Sequence, residues 1–184
     1  MTMMQDNPML RDALTNLGGS VGSSLTDNWA FCYVTDFLNV PFGGTQQSTL
    51  RVEAGVDFLV QAIMARFNFN ANTTPTGYPP RAPIMREIRD ALVTATPENY
   101  ATLDHVLVQI TTIDRQWFSG AARASLVTSD PASLMFLPTP VLIAGNDSII
   151  TQITNNLPAL TGAATPAIDG EVVYMGIRMS RKRK

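Results

Sequence analysis

The sequence predicts a mainly α-helical protein: a small bundle of about four helices with extended N- and C-terminal arms and short strands in the C-terminal arm. Apolar residues recur every three or four positions through residues 46–67, as on the buried face of a helix. The run Thr96-Pro97-Glu98 has the order of a helix start, with a capping residue, a proline at the first helical position and an acid in the first turn. Beyond residue 129 prolines recur too closely for another long helix, which predicts an extended arm.

The composition allows one domain with a hydrophobic core and predicts an exterior of low charge. The chain has 184 residues, and its charged fraction of 15% is well below the roughly 25% of typical soluble domains. Thr, Asn, Ser and Gln must therefore supply most of the polar surface. Such a surface suits a protein whose exterior meets copies of itself, because every buried charge would need a partner. A low-charge secreted globular protein fits the same composition equally well.

Cysteine use and hydropathy predict a soluble protein from a reducing compartment, with no membrane partner. The single cysteine, Cys32, excludes an internal disulfide. No apolar run approaches the roughly 20 residues of a membrane span. The first 17 residues carry Asp6, Arg11 and Asp12, unlike a signal peptide.

The first half of the chain contains the predicted N-terminal arm and the central helix of the bundle. Residues 1–25 form the arm, in which a short helix meets a Gly/Ser-rich joint. Residues 29–38 follow helix-capping residues, but their aromatic and β-branched side chains favour a strand equally. The central helix, residues 46–67, has an apolar stripe that consists of Val52, Val56, Leu59, Ile63 and Phe67.

Two further helices complete the predicted bundle, which spans residues 26–128. A polar, proline-rich connection of residues 68–83 leads to a helix at residues 84–94. The last helix starts at Pro97 and continues to about residue 126. Its apolar stripe consists of Leu103, Val106 or Leu107, Ile110, Ile113 and Trp117.

Residues 129–184 are the predicted C-terminal arm, which includes a basic tail. Residues 148–155 suit a strand or one short helix, and residues 169–179 follow a turn signal and predict a strand. We expect these strands to be completed by a neighbouring copy of the chain.

The sequence contains no recognisable catalytic, metal or cofactor motif, so we expect a protein that is not an enzyme. One histidine and one cysteine do not make a usual zinc site, and no phosphate-binding loop or nucleophile elbow occurs. Cys32 lies in an aromatic run, where a core position is expected. The enzyme alternative requires a site assembled in three dimensions around Asp104, His105 and another carboxylate.

The arginines and the basic tail are the candidate nucleic-acid contacts. Arginine presents a planar fork that suits phosphate, and a subunit that repeats many times needs only a few such groups. Ordinary surface pairing with Glu87, Asp90 and Asp114 is the alternative role for the arginines. The candidate contacts are Arg81, Arg86, Arg89, Arg115, Arg123, Arg181, Lys182, Arg183 and Lys184.

Three short sequence segments resemble segments in the coat proteins of rod-shaped plant RNA viruses, the tobacco mosaic virus type. Residues 90–95, Asp-Ala-Leu-Val-Thr-Ala, are similar to an Asp-Pro-Leu-Val-Thr-Ala word in that family. The Thr-Gln-Gln at residues 45–47 and the Trp-Ala at residues 29–30 also have counterparts there. The resemblance covers residues 26–127 and implies an antiparallel four-helix bundle with RNA held between stacked subunits. It implies RNA contacts from Arg86, Arg89 or Arg115.

The leading functional hypothesis is a virion structural protein, a coat or capsid subunit that self-assembles into a shell or helical filament and packages nucleic acid. Its partners would be copies of itself and nucleic acid, with RNA as the expected type. It would reside in the virion, and in the host cytoplasm during assembly. The alternative is a nucleic-acid-binding module that does not assemble and works through Arg86, Arg89 and residues 181–184.

Overall fold

Two antiparallel four-stranded sheets make up the described part of the protein. The structure, a computed structural model, describes residues 30–74, 76, 80–81, 83–84, 102–127, 135–159 and 165–180. The strands are β1 (Ala30–Val40), β2 (Thr45–Arg51), β3 (Val56–Phe69), β4 (Val106–Thr112), β5 (Ala122–Arg123), β6 (Met135–Ile143), β7 (Ser148–Asn155) and β8 (Ile168–Ser180). The helical content of these ranges is one 3-10 turn, Leu103–His105, and one short helix, α1 (Ala124–Val127).

The strand order is that of a jelly roll. The first sheet has the order β1-β8-β3-β6, and the second has the order β2-β7-β4-β5. The first strand therefore pairs with the eighth, the second with the seventh, the third with the sixth and the fourth with the fifth. This nested pairing arises when one long antiparallel hairpin rolls up, and the contacts of β8 with β3 and of β7 with β4 then join the pairs into two sheets.

The predicted helical bundle is wrong. The segment predicted as its central helix is β2, a turn and β3, and the segment predicted as its last helix contains the 3-10 turn, β4, β5 and α1. The strand alternatives for residues 29–38 and 148–155 are confirmed by β1 and β7, and the strand predicted at residues 169–179 is confirmed by β8.

The prediction of a C-terminal arm completed by a neighbour is also wrong within the described residues. β7 and β8 are inner strands of their sheets, and each pairs on both sides with strands of the same chain. Of the helix predicted for residues 84–94, all but Ile84 lies outside the described residues. So do the predicted domain boundaries after residues 25 and 128, and the N-terminal arm.

A β-bulge in β3 explains why a strand resembled a helix. Val60 faces Gly176 of β8 and Ala62 faces Met175, so Gln61 is an extra residue in the ladder. The inward-facing positions therefore change parity, from Phe58 and Val60 before the bulge to Ile63, Ala65, Phe67 and Phe69 after it. The bulge thus interrupts the two-residue alternation, and because the outward-facing Leu59 is also apolar, Val56, Leu59 and Ile63 fall at helical spacing although they do not share a face.

The core lies between the sheets and draws apolar residues from both. Phe58, Phe67 and Ile63 of β3 are almost completely buried, and they share one cluster with Ile110 of β4 and Ile153 of β7. Burying a side chain of this size stabilises the fold by roughly 1.5–3 kcal/mol. The sandwich is therefore closed by contacts far apart in sequence, unlike a bundle of neighbouring helices.

The strands place the connections at two opposite ends of the sandwich. We call one the Gly55 end: it carries the turn at residues 52–55, the hairpin tip at 113–116 and the turn at 144–147. The other is the Asn155 end, where the turn at residues 41–44 meets the end of β7. These two ends define the positions of the candidate contacts.

Candidate assembly surface and nucleic-acid contacts

The described candidate arginines do not form one basic patch. Arg115 lies at the tip of the hairpin that follows β4, at the Gly55 end. Arg81 lines a cleft with the first residues of β8, and Arg123 pairs with Leu107 near the start of β4, so both lie towards the Asn155 end. The helix predicted from Pro97 would have carried Arg115 and Arg123 together. Arg86, Arg89 and residues 181–184 lie outside the described residues.

Arg81 lines a polar cleft of about 250 Å³ on the outer face of the first sheet. The cleft brings Arg81 and Arg66 together with the carboxylates of Asp36, Asp169 and Glu171. Three acids thus oppose two arginines. Such a cleft does not attract a polyanion, because the local charge is negative.

Hydrogen bonds within the chain already engage several of the charged side chains that line this cleft. The Arg66 guanidinium donates from Nε to Glu171 Oε1 at 2.7 Å. Asp169 accepts the backbone N–H of Asn39 at 2.8 Å and the side-chain amide of Asn70 at 3.0 Å. Asp169 therefore ties the ends of β1, β3 and β8 together, and its role is structural.

Arg51, Arg115 and Arg178 are the described arginines at the Gly55 end, where β8 ends and the sequence continues into the basic tail. Ser180, the last residue of β8, faces Val56 at the Gly55 end, and residues 181–184 follow it. Arg178 forms an ion pair with Glu53, whereas the Arg115 side chain is exposed at the hairpin tip. The described arginines at this end are matched by the acids Glu53, Asp57, Asp114 and Asp147, and the four cations of residues 181–184 follow Ser180 in the sequence.

Asp104 and His105, the core of the enzyme alternative, take part in local structural contacts. His105 Nδ1 lies 3.3 Å from the Thr102 backbone nitrogen and closes the 3-10 turn. Asp104 accepts the Ser125 hydroxyl and lies 3.9 Å from Arg123 Nη1, in a pair exposed enough to be weak. Among the described residues, no cluster of three or more His, Cys, Asp or Glu side chains suits a metal ion.

Among the described residues, large apolar side chains on the surface are a feature that the helical interpretation missed. Large apolar residues stand on the outer face of β1, at both ends of the sandwich, on α1 and on β6, with exposed fractions from 40% to 77%. They are Val34, Leu38, Phe42, Ile113, Leu126 and Phe136. Cys32 is also exposed on β1, against the expectation of a core position.

The sequence signal that could have revealed the exposed apolar residues of β1 is the alternation of inward-facing and outward-facing side chains along this strand. Tyr33, Thr35 and Phe37 face inward, so Val34 and Leu38 must face outward. A second apolar cluster lies on the outer face of the first sheet, where Leu59 and Ile177 pack with Leu142 and Met179. This face thus has an apolar half and the charged cleft described above.

Comparisons with known proteins identify no relative for the chain. No family model and no curated protein matches it. Among solved structures it is similar to dimeric latent PorU from Porphyromonas gingivalis, at 10% sequence identity and a TM-score of 0.32. The match covers 86% of this chain but 14% of PorU, so the chain spans about a seventh of that protein's length. A likeness at this level indicates nothing about the function of this chain. Within the described ranges, no helix has the length and apolar character needed to cross a membrane.

Proposed function

We propose that this chain is the subunit of a self-assembling protein shell, a virion coat protein that encloses nucleic acid. The observation that carries the proposal is the jelly-roll strand order, β1-β8-β3-β6 against β2-β7-β4-β5. Jelly rolls build viral capsids, although lectins and cupins use the same architecture. The fold alone therefore supports the proposal only by analogy, and the surface must supply the rest.

The surface supports contacts with several copies of the chain. The six exposed large apolar residues are spread over different sides of the sandwich. A subunit of a closed shell needs a separate contact patch for each neighbour, and symmetry repeats each contact many times. The low charged fraction of 15% reduces the cost of covering such a surface. Modest interfaces therefore suffice to hold the shell.

The Gly55 end is the proposed nucleic-acid side of the subunit. The four consecutive cations of residues 181–184 follow Ser180 there, and the exposed Arg115 lies on the same end. The cleft at Arg81 is acidic on balance, so Arg81 is not among the proposed nucleic-acid contacts. RNA is the expected nucleic acid, and the virion is the proposed location.

Assembly is tested by placing a charge at the exposed apolar positions. Leu38→Asp and Phe136→Asp should lower the fraction of protein in large particles at least tenfold, measured by sedimentation velocity, while the circular dichroism spectrum is unchanged. Ser119→Asp is the matched control, because it adds the same charge at an exposed polar position. A wild-type protein that sediments as a folded 20.0 kDa monomer at every concentration would contradict the proposal.

Nucleic-acid binding is tested by removing residues 181–184. If the four cations neutralise about four phosphates of single-stranded RNA, deletion should reduce the slope of log K against log salt by roughly 3. Arg66→Gln is the control, because it removes a cation that is engaged with Glu171 and should leave the slope unchanged. An unaltered slope after the deletion would rule out the tail as a contact. Tight binding by a monomer that forms no particles would instead favour the non-assembling module.

A further inference from the structure

The four edge strands of the sandwich differ in how they are protected. β1 and β6 are the edges of the first sheet, and β2 and β5 are the edges of the second. An edge strand exposes a row of backbone N–H and C=O groups that can pair with another chain. Proteins usually block such edges with prolines, bulges, charges or short strands.

Two of these edges, β6 and β5, are blocked, and β1 pairs with β8 in an unbroken register from Ala30 to Phe37 before a break near its end. The register of β1 shifts between Phe37 and Val40, where Asn39 adopts a left-handed conformation with φ of 54°. β6 contains Pro138 and Pro140, and its register with β3 breaks at the same place. β5 has two residues and leads directly into α1.

β2 lacks these features. Its seven residues, Thr-Gln-Gln-Ser-Thr-Leu-Arg, pair with β7 in an unbroken register from Thr45 to Arg51. The strand contains no proline, glycine or lysine, and its one charge lies at its last residue. Its side chains alternate regularly between exposed and half-buried.

The hydrogen-bond pattern shows which groups of β2 face outward. The ladder with β7 is bounded by a bond from Asn155 N–H to Gly44 C=O and one from Val52 N–H to Asp147 C=O. Antiparallel bonding alternates, so the even-numbered residues of β2 bond to β7. The N–H and C=O groups of Thr45, Gln47 and Thr49 therefore point to the open edge, and among the described residues no backbone bond to them is found there.

We propose that β2 pairs antiparallel with β2 of a second copy of this chain, around a twofold axis at Ser48. This register places Thr45 opposite Arg51 and Gln47 opposite Thr49, so no like charges face each other. Each of these pairs exchanges two backbone hydrogen bonds, because both members face the open edge. The two second sheets become one continuous eight-stranded sheet.

A buried polar atom at this edge agrees with the pairing. The side-chain oxygen Oε1 of Gln46 is buried and has no hydrogen-bond partner. Across the twofold axis its diagonal neighbour is Ser48 of the second copy, whose hydroxyl is a donor. A buried acceptor without a donor costs free energy, and pairing offers one.

The inference deepens the proposed function, because it names one contact of the shell, and it rests on self-association of the chain. Ser48→Cys tests the register in a Cys32→Ser background. Ser48 would face its own counterpart as a pair without backbone bonds, with Cα atoms about 4.5 Å apart, which a disulfide spans. Under mild oxidation we expect most of the protein to become a covalent dimer. Gln46→Cys, the matched control, would face Leu50 and should stay largely monomeric on a denaturing gel.

Charge complementation provides a second test. The pair Gln47→Lys and Thr49→Lys apposes lysines across the axis and should weaken dimerisation at least tenfold in analytical ultracentrifugation. Mixing this protein with one that carries Gln47→Glu and Thr49→Glu should restore dimers. The control pair, Ser119→Lys with Ala121→Lys, adds the same charges at exposed positions outside β2 and should leave this dimer intact.

The outcomes separate this inference from the proposed function. Particles that form while Ser48→Cys does not cross-link would overturn the β2 pairing and leave the shell proposal standing. Cross-linked dimers that never form particles would overturn the shell and leave the pairing standing. Folded protein with equal cross-linking at positions 46 and 48 would overturn the register.

Discussion

Gly176 of β8 lies opposite the bulge of β3, where the two backbones approach closely. A Cβ atom at this position would lie 2.0 Å from the carbonyl oxygen of Leu59 and 3.0 Å from Cα of Val60. Both are backbone atoms in the middle of a sheet, so they have little freedom to move. The glycine is therefore required by the bulge rather than by a turn.

Gly176→Ala should lower the free energy of unfolding by at least about 2 kcal/mol, because the added methyl group meets fixed backbone. Urea denaturation measures the change. Gly120→Ala is the matched control, since nothing lies within 4 Å of its added Cβ, and it should be nearly neutral. Equal stability of the two variants would show that the bulge is not packed as described.

Tyr174 is a buried residue whose ionisation should limit stability at high pH. Its ring is fully buried and packs edge-on against Trp117, with centroids 5.9 Å apart. Burial raises the pKa of the Tyr174 hydroxyl, and its hydrogen bond with Thr151 offsets part of this rise. The folded state thus favours the neutral phenol, whereas the unfolded chain ionises near pH 10.

The folded pKa exceeds the unfolded one, so the contribution of Tyr174 to stability is complete below pH 10 and is lost as pH rises above it. The free energy of unfolding should fall by up to about 1.4 kcal/mol per pH unit from this group. Tyr174→Phe should remove that part of the slope, although it costs stability at neutral pH. Denaturant titrations between pH 8 and 11 measure how the free energy of unfolding depends on pH in the wild type and in Tyr174→Phe. Identical pH dependence in the two proteins would contradict a role for Tyr174 ionisation.

At the scale of elements, Asn155 joins three segments at the end of β7. Its buried side-chain amide donates to the carbonyl oxygens of Val40 at 3.1 Å and Pro166 at 2.9 Å. Its Oδ1 accepts the backbone N–H of Leu157 at 3.1 Å. One amide thus fixes the end of β1, the end of β7 and the segment before β8.

Asn155→Ala should lower the free energy of unfolding by about 2–4 kcal/mol, because it leaves buried backbone groups without partners. Asn156→Ala is the control, since that neighbouring side chain is exposed. Thermal and urea denaturation of both variants gives the comparison. A small, equal loss in both would mean that the junction is held by other contacts.

The element types that the sequence predicted correctly are those with a regular two-residue pattern. β7 and β8 alternate or carry strand-forming residues after a turn, and both were recognised as candidate strands. β3 was missed for two reasons: the bulge at Gln61 interrupts its alternation, and its outer face is apolar at Leu59 and Met64. β4 was missed although Val106, Val108 and Ile110 alternate, because a strong capping signal preceded it.

At the scale of the whole molecule, the topology was beyond single-sequence reasoning. A jelly roll pairs segments separated by more than a hundred residues, such as Ala30 with Ile177, and no local pattern encodes that register. The low-charge exterior, by contrast, follows directly from the composition. The candidate cations could be identified from residue type alone. That Arg115 and Arg123 lie at opposite ends of the sandwich, however, follows only from the fold of the segment from Val106 to Arg123.

Electron microscopy of the purified wild-type chain across a concentration series tests the shell proposal most directly. We expect closed particles of uniform diameter, with image averages that show two-sheet sandwiches as the repeating unit. Folded, dispersed single subunits at millimolar concentration, with and without added RNA, would contradict it.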